Sequence, residues 1–292
     1  MFVSSQSGLG FWEKIQISWH LIIKSWGVLK KDKELLALPV IGAIVSIGVF
    51  AALLLPAFAF ISAGQSERIY GVFIIYYFLA TIVGVFFNAA LVAGAIKRFS
   101  GGDPTVSSSI KEAATRLPAI IGWGIIASTV GLIVSSLRNR RQGGVADVVM
   151  SIAGAAILAA WNFISFMVLP VIVAEGKGPI ASLKRSFELV RSRWGEVIAG
   201  GIGIWVAGSA AMFGLFAIIF ALMFVSFTLF GFSLAVFATL MLVLIAGWLV
   251  LGIVFATLNQ IFVAAVYLYA AKGTAHVFTK EEIKGILRSK HR

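Results

Sequence analysis

Long apolar stretches separated by short polar ones dominate the hydrophobic pattern. Four uncharged or nearly uncharged stretches predict membrane-spanning helices at about 35–63, 69–96, 118–137 and 148–174. A fifth stretch, 197–271, carries no charged residue and is long enough for two spans with a turn near Gly231. Two helices are favoured over three because three would put the basic tail on the opposite side of the membrane. The alternative is that 197–271 also includes a re-entrant segment.

Shorter segments between the spans have a helical period instead of continuous apolarity. In residues 11–30 and 179–194, apolar side chains recur three and four positions apart, which predicts amphipathic helices lying in the membrane interface. A weaker stripe at 104–117 predicts a third such helix, with Asp103 as its N-cap. The basic residues beside the two stronger stripes are candidate contacts for anionic lipid headgroups: Lys14, Lys24, Lys184, Arg185, Arg191 and Arg193.

The pattern also repeats along the chain. Residues 18–27 align without gaps on 186–195, and Asn88, Asn162 and Asn259 each precede a glycine by 14 residues. We therefore predict an all-α, polytopic membrane protein with six transmembrane helices in three parallel repeats, each preceded by an interfacial amphipathic helix. The chain is then one membrane domain, 1–292, with repeats at 8–102, 103–176 and 177–273 and a cytoplasmic tail at 274–292.

The segment from Val173 to Ser186 has the pattern V-x-E-G-x-G-x-x-x-S-L-x-R/K-S. With its span-pair layout, the chain resembles uncharacterised prokaryotic six-pass membrane proteins catalogued as domains of unknown function. It is also similar to the membrane domain found beside some glycerophosphoryl diester phosphodiesterases. The resemblance implies a six-helix α fold. The hydrolase domain itself is absent from the sequence, so the resemblance implies no reaction.

The distribution of charged residues predicts the orientation of the chain in the membrane. Lys and Arg outnumber Asp and Glu by 24 to 12, and 20 of the 24 fall on one side of the predicted spans. The positive-inside rule places both termini and the amphipathic helices in the cytoplasm, with the chain in the cell (cytoplasmic) membrane. No soluble basic module is long enough to bind nucleic acid, and the absence of cysteine removes thiolate chemistry.

Candidate chemistry is sparse. No predicted span has an interior Asp, Glu, Lys, Arg or His, which argues against a proton-driven transporter. No pattern indicates a catalytic, cofactor or metal site, so we predict no enzyme and no cofactor. The candidate intramembrane polar ring consists of Asn88, Asn162, Asn259 and Gln260, and the repeat predicts that the asparagines point into the bundle and find polar partners. They either hold helices together by hydrogen bonds or form a polar ring along a pathway.

These features predict a non-enzymatic membrane protein that acts through lipid contact or membrane-protein assembly. Its expected partners are anionic lipid headgroups and a second copy of the chain or another membrane protein. The alternative is a channel or transporter for a small neutral or lipid-like solute.

Overall fold

A computed structural model of the protein describes residues 11–138, 145–192 and 194–273. In these ranges the chain forms long apolar helices and shorter ones that lie between them along the sequence. The short helices are α1 (Phe11–Lys31), α4 (Val106–Ala114) and α8 (Pro179–Ser192). The long helices are α2 (Ala37–Ser62), α3 (Ile69–Phe99), α5 (Leu117–Arg138), α6 (Val145–Ser165) continued by α7 (Val168–Glu175), α9 (Trp194–Phe230) and α10 (Leu234–Lys272).

Six of these segments are long and apolar enough to cross a membrane, with α6 and α7 counted as one. The prediction of a six-span helical protein is confirmed at this level. The long uncharged stretch forms two helices, α9 and α10, as predicted. They turn at Gly231, where φ is +72°, a conformation that favours glycine. The predicted tail, 274–292, lies outside the described residues.

The fourth span is broken. Helix α6 ends at Ser165 and α7 begins at Val168, two residues before Pro170, where the ring and the missing N–H are tolerated. Ser186 of α8 holds the break, since its hydroxyl accepts from the Met167 N–H at 2.9 Å and donates to the Ile164 carbonyl at 2.6 Å. The backbone groups freed by the break are thus satisfied by a neighbouring helix.

Helix α4 starts later than the sequence predicts. Its N-cap is Thr105, which forms a reciprocal capping box with Ser108, and the prediction of Asp103 is wrong. The Asp103 carboxylate is instead bound to Arg98 at the end of α3. Because Arg98 binds the Asp103 carboxylate, the Thr105 hydroxyl caps the helix instead.

The core of the protein lies at one end of the bundle. Residues 89–95 of α3, 167–173 around the start of α7 and 261–269 of α10 are almost continuously buried. These segments belong to the second helix of each long pair, and α3 packs against both α7 and α10. Small residues at 89, 90, 93, 94 and 95 let α3 approach its neighbours closely. We call this the basic end, since Lys97, Lys177 and Lys272 lie beside it.

Away from the basic end, the long helices expose large apolar side chains. Examples are Leu55 at 78%, Phe58 at 71%, Phe213 at 74% and Trp205 at 72% exposed. Such a surface would be unfavourable in water and is expected against lipid. The described part of the chain is therefore packed at the basic end and open to lipid over most of the lengths of α2, α9 and α10.

The three short helices pack at the basic end. Helix α1 lies on α9 and α10, α4 lies on α3, and α8 lies on α6 and α7. In α1, Ile17, Leu21 and Val28 face the protein, whereas Trp19 and Trp26 are exposed. This helix thus has one apolar face toward the bundle and a second one free to contact lipid.

Candidate functional site

The asparagines predicted to form a polar ring do not share one environment. Asn88 and Asn259 are half-buried, as is Gln260, but Asn162 is exposed on α6. Within the described residues, the three asparagine side chains form no hydrogen bond. The expected inward orientation is therefore wrong for Asn162. The break between α6 and α7 separates Asn162 from the buried residues of α7, so the two segments need not share one buried face. A functional role for the ring stays a prediction.

The basic residues predicted to contact headgroups also differ in their environments. Lys184 and Arg191 are exposed on α8, and Lys24 is half-buried on α1. The Lys14 side chain and Arg193 lie outside the part of the chain that the structure describes. Arg185 is committed elsewhere, since it pairs with Glu188 at 3.2 Å and with Glu175 at 3.4 Å. The hydrogen bond to Glu188 raises the pKa of Arg185, with a further contribution from the charge of Glu175.

The motif from Val173 to Ser186 forms a structural junction. Glu175 pairs with Lys177 at 2.7 Å, and the Tyr267 hydroxyl donates to Glu175 Oε1 at 3.2 Å. Together with Arg185, these bonds join the end of α7 to α8 and α10. Two serines of the motif bind backbone groups. Ser182 donates to the Lys177 carbonyl at 3.1 Å, and Ser186 accepts from the Met167 N–H at the α6–α7 break. The pattern on which the resemblance rests is thus largely explained by local folding.

A second junction joins the end of α1 to the end of α3. The Arg98 guanidinium donates to both carboxylate oxygens of Asp32 and to Asp103. The Asp32 and Arg98 side chains are only 5% and 14% exposed, while Asp103 is 86% exposed. This is a bidentate, largely buried ion pair, the geometry for which arginine is best suited.

Between these two junctions lies a cavity of about 350 Å³. It is bounded by the ends of α3, α7 and α10 and by α4, so all three buried second helices meet at it. Lys97, Arg116 and Lys272 line it together with Glu112 and Ser109. Lys97 Nζ lies 3.3 Å from the Ser108 hydroxyl, which also belongs to the α4 cap. This polar cavity at the convergence of the helices is the candidate functional site.

The sequence gives little warning of this cavity. Lys97 and Lys272 each end a span and Arg116 precedes one, so each is interpreted as a topology signal. Only the packing of three distant segments brings them together. The sequence does contain one signal for the cavity, Gly94 and Gly176. Glycine is needed at both positions because side chains of other segments approach the backbone closely there.

Gly176 illustrates that requirement. It ends α7 in the left-handed conformation, with φ of +65°, and a Cβ there would lie 2.8 Å from Arg116 Nη1. Gly176 therefore satisfies the backbone turn and leaves room for the Arg116 guanidinium beside the cavity.

We expect Gly176→Ala to lower the free energy of unfolding by about 2 kcal/mol, because left-handed backbone costs an L-residue roughly 1–2 kcal/mol and the methyl group also displaces Arg116. Thermal unfolding of the purified protein in detergent measures the loss. Gly178→Ala is the matched control, since Gly178 has no atom within 4 Å of a built Cβ, and as the residue before α8 it should cost at most about 1 kcal/mol. Equal losses for the two variants would contradict this explanation.

The helices, their apolar exposure and their arrangement define a multi-pass membrane protein. Residues 67–277 match the model of a family of unknown function, DUF6159. Because the match covers well over half of the 292 residues, the chain belongs to that family. No curated protein sequence matches the chain.

Proposed function

We propose that this protein is a non-enzymatic membrane component that acts through contact with lipids and assembly with a membrane partner. The observation that carries the proposal is the division of the molecule into a packed apolar core near the basic end and long helices with exposed apolar side chains. The packed core between the three second helices opposes a solute pathway through them, since the cavity lies at their ends. Exposed apolar helix faces provide a large surface for lipid acyl chains or for another membrane helix.

We also propose that the chain is organised as three repeats, because the packing of the short helices follows the order of the repeats. Helix α4 of the second repeat packs on α3 of the first, and α8 of the third packs on α6 and α7 of the second. Helix α1 of the first packs on α9 and α10 of the third, which would close a ring. The aligned positions of α1 and α8 also share their burial: Ser18 and Ser186 are buried, whereas Trp19 and Phe187 are exposed.

Ring closure predicts that α1 can be cross-linked to α9. A Cβ at Gly203 would lie 3.1 Å from Ile22 Cδ1, so these two positions are close enough for a short linkage. The chain has no cysteine of its own, and Ile22→Cys with Gly203→Cys should give an intramolecular cross-link with mild oxidant or a short bis-maleimide. Ile23→Cys with Gly203→Cys is the control, because Ile23 is exposed. No link in the first pair would contradict ring closure.

We further propose that the basic end faces the cytoplasm and that α1 and α8 lie in the membrane interface. The distribution of charge supports this orientation, since the basic end is the side with most Lys and Arg residues. Exposed apolar residues on both helices support the interfacial position: Trp19, Trp26, Ile180 and Phe187.

The alternative function is a channel or transporter for a small neutral or lipid-like solute. The half-buried amides of Asn88, Asn259 and Gln260 favour it, because unpaired amides at membrane depth would be satisfied by water or a solute. The exposed position of Asn162 weakens it, since a ring then lacks its third member.

Lipid dependence of stability tests the proposed function. Protein purified in a neutral detergent should gain several degrees in its unfolding midpoint when phosphatidylglycerol is added, and less with phosphatidylcholine, because ligands that bind only the folded state stabilise it. A detergent of matched chain length without added lipid is the control. An unfolding midpoint insensitive to both lipids would contradict a function based on lipid contact.

A further inference from the structure

We propose that the cavity at the basic end is a binding site for the phosphate group of an anionic ligand, most simply an anionic phospholipid headgroup. This inference deepens the proposed function and, in its choice of a lipid as the source of the phosphate, rests on it. Four features of the cavity support a phosphate site: the charge of its walls, polar atoms without partners, its volume, and its position along the helices.

The charge of the cavity walls is positive and mostly uncompensated. Lys97, Arg116 and Lys272 line the cavity against a single carboxylate, Glu112. Within the described residues, neither Arg116 nor Lys272 has an acidic partner. This differs from the rest of the basic end, where the cations beside Glu175 and Asp32 are paired. Cations gathered in one concave site without acidic partners attract an anion.

Two polar atoms at the cavity lack any hydrogen-bond partner. Ser109 is only 2% exposed, and its Oγ is buried without a partner. The Arg116 Nε is also buried and unpartnered. Buried polar groups in folded proteins are nearly always hydrogen-bonded, and each one left unmade costs on the order of a hydrogen bond's desolvation. An acceptor-rich ligand would satisfy both donors at once.

The cavity of about 350 Å³ provides space beside these donors. Gly94 and Gly176 keep the donors in the cavity wall, because a Cβ at these positions would lie 2.6 Å from Ser109 Oγ and 2.8 Å from Arg116 Nη1 and would displace them. A phosphate group has several acceptor oxygens, which suit the planar donors of arginine, the ammonium groups of lysine and a serine hydroxyl together. A carboxylate offers fewer oxygens for this number of donors.

The position of the cavity favours a lipid as the source of the phosphate. Lys97 and Lys272 each lie within the last turns of a spanning helix, the level at which headgroups meet the protein. Val173, Ala174 and Ile96 supply an apolar part of the same wall. A site that is basic at the span ends and partly apolar suits a headgroup with the start of its acyl chains.

The test uses the full chain in neutral detergent, with phosphatidylglycerol, phosphatidylcholine and inorganic phosphate as separate probes. Native mass spectrometry and titration of the unfolding midpoint give the affinity for each. Arg116→Gln should weaken phosphatidylglycerol binding roughly tenfold or more, because a charge-assisted hydrogen-bond donor is lost. Arg116→Lys should recover part of the loss. Lys111→Gln is the matched control, since Lys111 lies exposed on α4 outside the cavity wall, and it should change binding less than about twofold.

Ser109→Ala separates binding from folding. It removes an unpartnered buried hydroxyl, so the protein without added lipid should be at least as stable as the unmodified chain, while its affinity for phosphatidylglycerol falls. A loss of stability without a loss of affinity would overturn the assignment of Ser109 to the site.

The probes distinguish this proposal from the proposed function. An Arg116-dependent loss of phosphatidylglycerol binding supports a headgroup site. Arg116-dependent binding of inorganic phosphate by a protein that no lipid stabilises supports the phosphate chemistry and overturns the lipid source and the proposed function. Lipid stabilisation that Arg116→Gln and Ser109→Ala leave unchanged overturns the cavity site and leaves the proposed function standing.

Discussion

Asp32→Asn should lower the free energy of unfolding by about 3 kcal/mol, one of the two largest effects that we expect from a single substitution. Breaking a buried ion pair by removing one partner typically costs roughly 3–5 kcal/mol, because the remaining charge stays buried without compensation. The estimate lies at the lower limit of that range because Arg98 keeps Asp103 as a second partner. The loss would not arise from helix capping, since the Asp32 side chain makes no capping hydrogen bond.

Unfolding in mixed detergent micelles measures the effect, with Asp103→Asn as the matched control. Asp103 binds the same guanidinium but is 86% exposed, so its removal should cost less than about 1 kcal/mol. The double variant Asp32→Leu with Arg98→Met should recover part of the lost stability, because apolar pairs can replace buried ion pairs at little cost. Equal losses from the two aspartate variants would show that burial does not control the energy of this junction.

Gly94→Leu should cost about 3 kcal/mol or more, because α3 has no room at this position. A Cβ there would lie 2.6 Å from Ser109 Oγ and 2.7 Å from Leu35 Cδ2, so α4 and the segment before α2 would both have to move. Overpacking a tight core usually costs roughly 1–3 kcal/mol for small insertions, and leucine adds four carbons. Both contacts are side-chain atoms that can shift, so Gly94→Ala should cost only about 1 kcal/mol.

Gly84→Leu provides the matched control on the same helix. Gly84 has no atom within 4 Å of a built Cβ, so its replacement should change the unfolding free energy by less than about 1 kcal/mol. The same unfolding titration gives both values. If Gly84→Leu were as damaging as Gly94→Leu, helix packing at the basic end would not be the reason that α3 needs glycine.

Much of the architecture follows from sequence because membrane helices are specified by length and apolarity. The six spans and the turn at Gly231 were predictable on those grounds, since every backbone polar group in lipid must be satisfied within a helix. The break before Pro170 was harder to place. Its position depends on Ser186, which belongs to another helix and satisfies backbone groups on both sides of the break.

The candidate site was not predictable in the same way. The sequence drew attention to Asn88, Asn162 and Asn259 because polar residues in lipid are rare, yet Asn162 is exposed on α6, before the break in that span. Lys97, Arg116 and Lys272 looked like ordinary flanking charges, and only long-range packing gathers them at one cavity. Residue pattern predicts which face of a helix is apolar, but it does not predict which helix ends converge.

Solute flux in liposomes most directly tests the claim that the protein acts by lipid contact instead of conduction. Purified protein in vesicles of phosphatidylcholine and phosphatidylglycerol should leave the permeability to water, urea and glycerol equal to that of protein-free vesicles in stopped-flow light scattering. Asn88→Leu and Asn259→Leu should then change nothing in this assay. A saturable flux through the unmodified protein that either substitution reduces would contradict the account and establish the asparagine pathway.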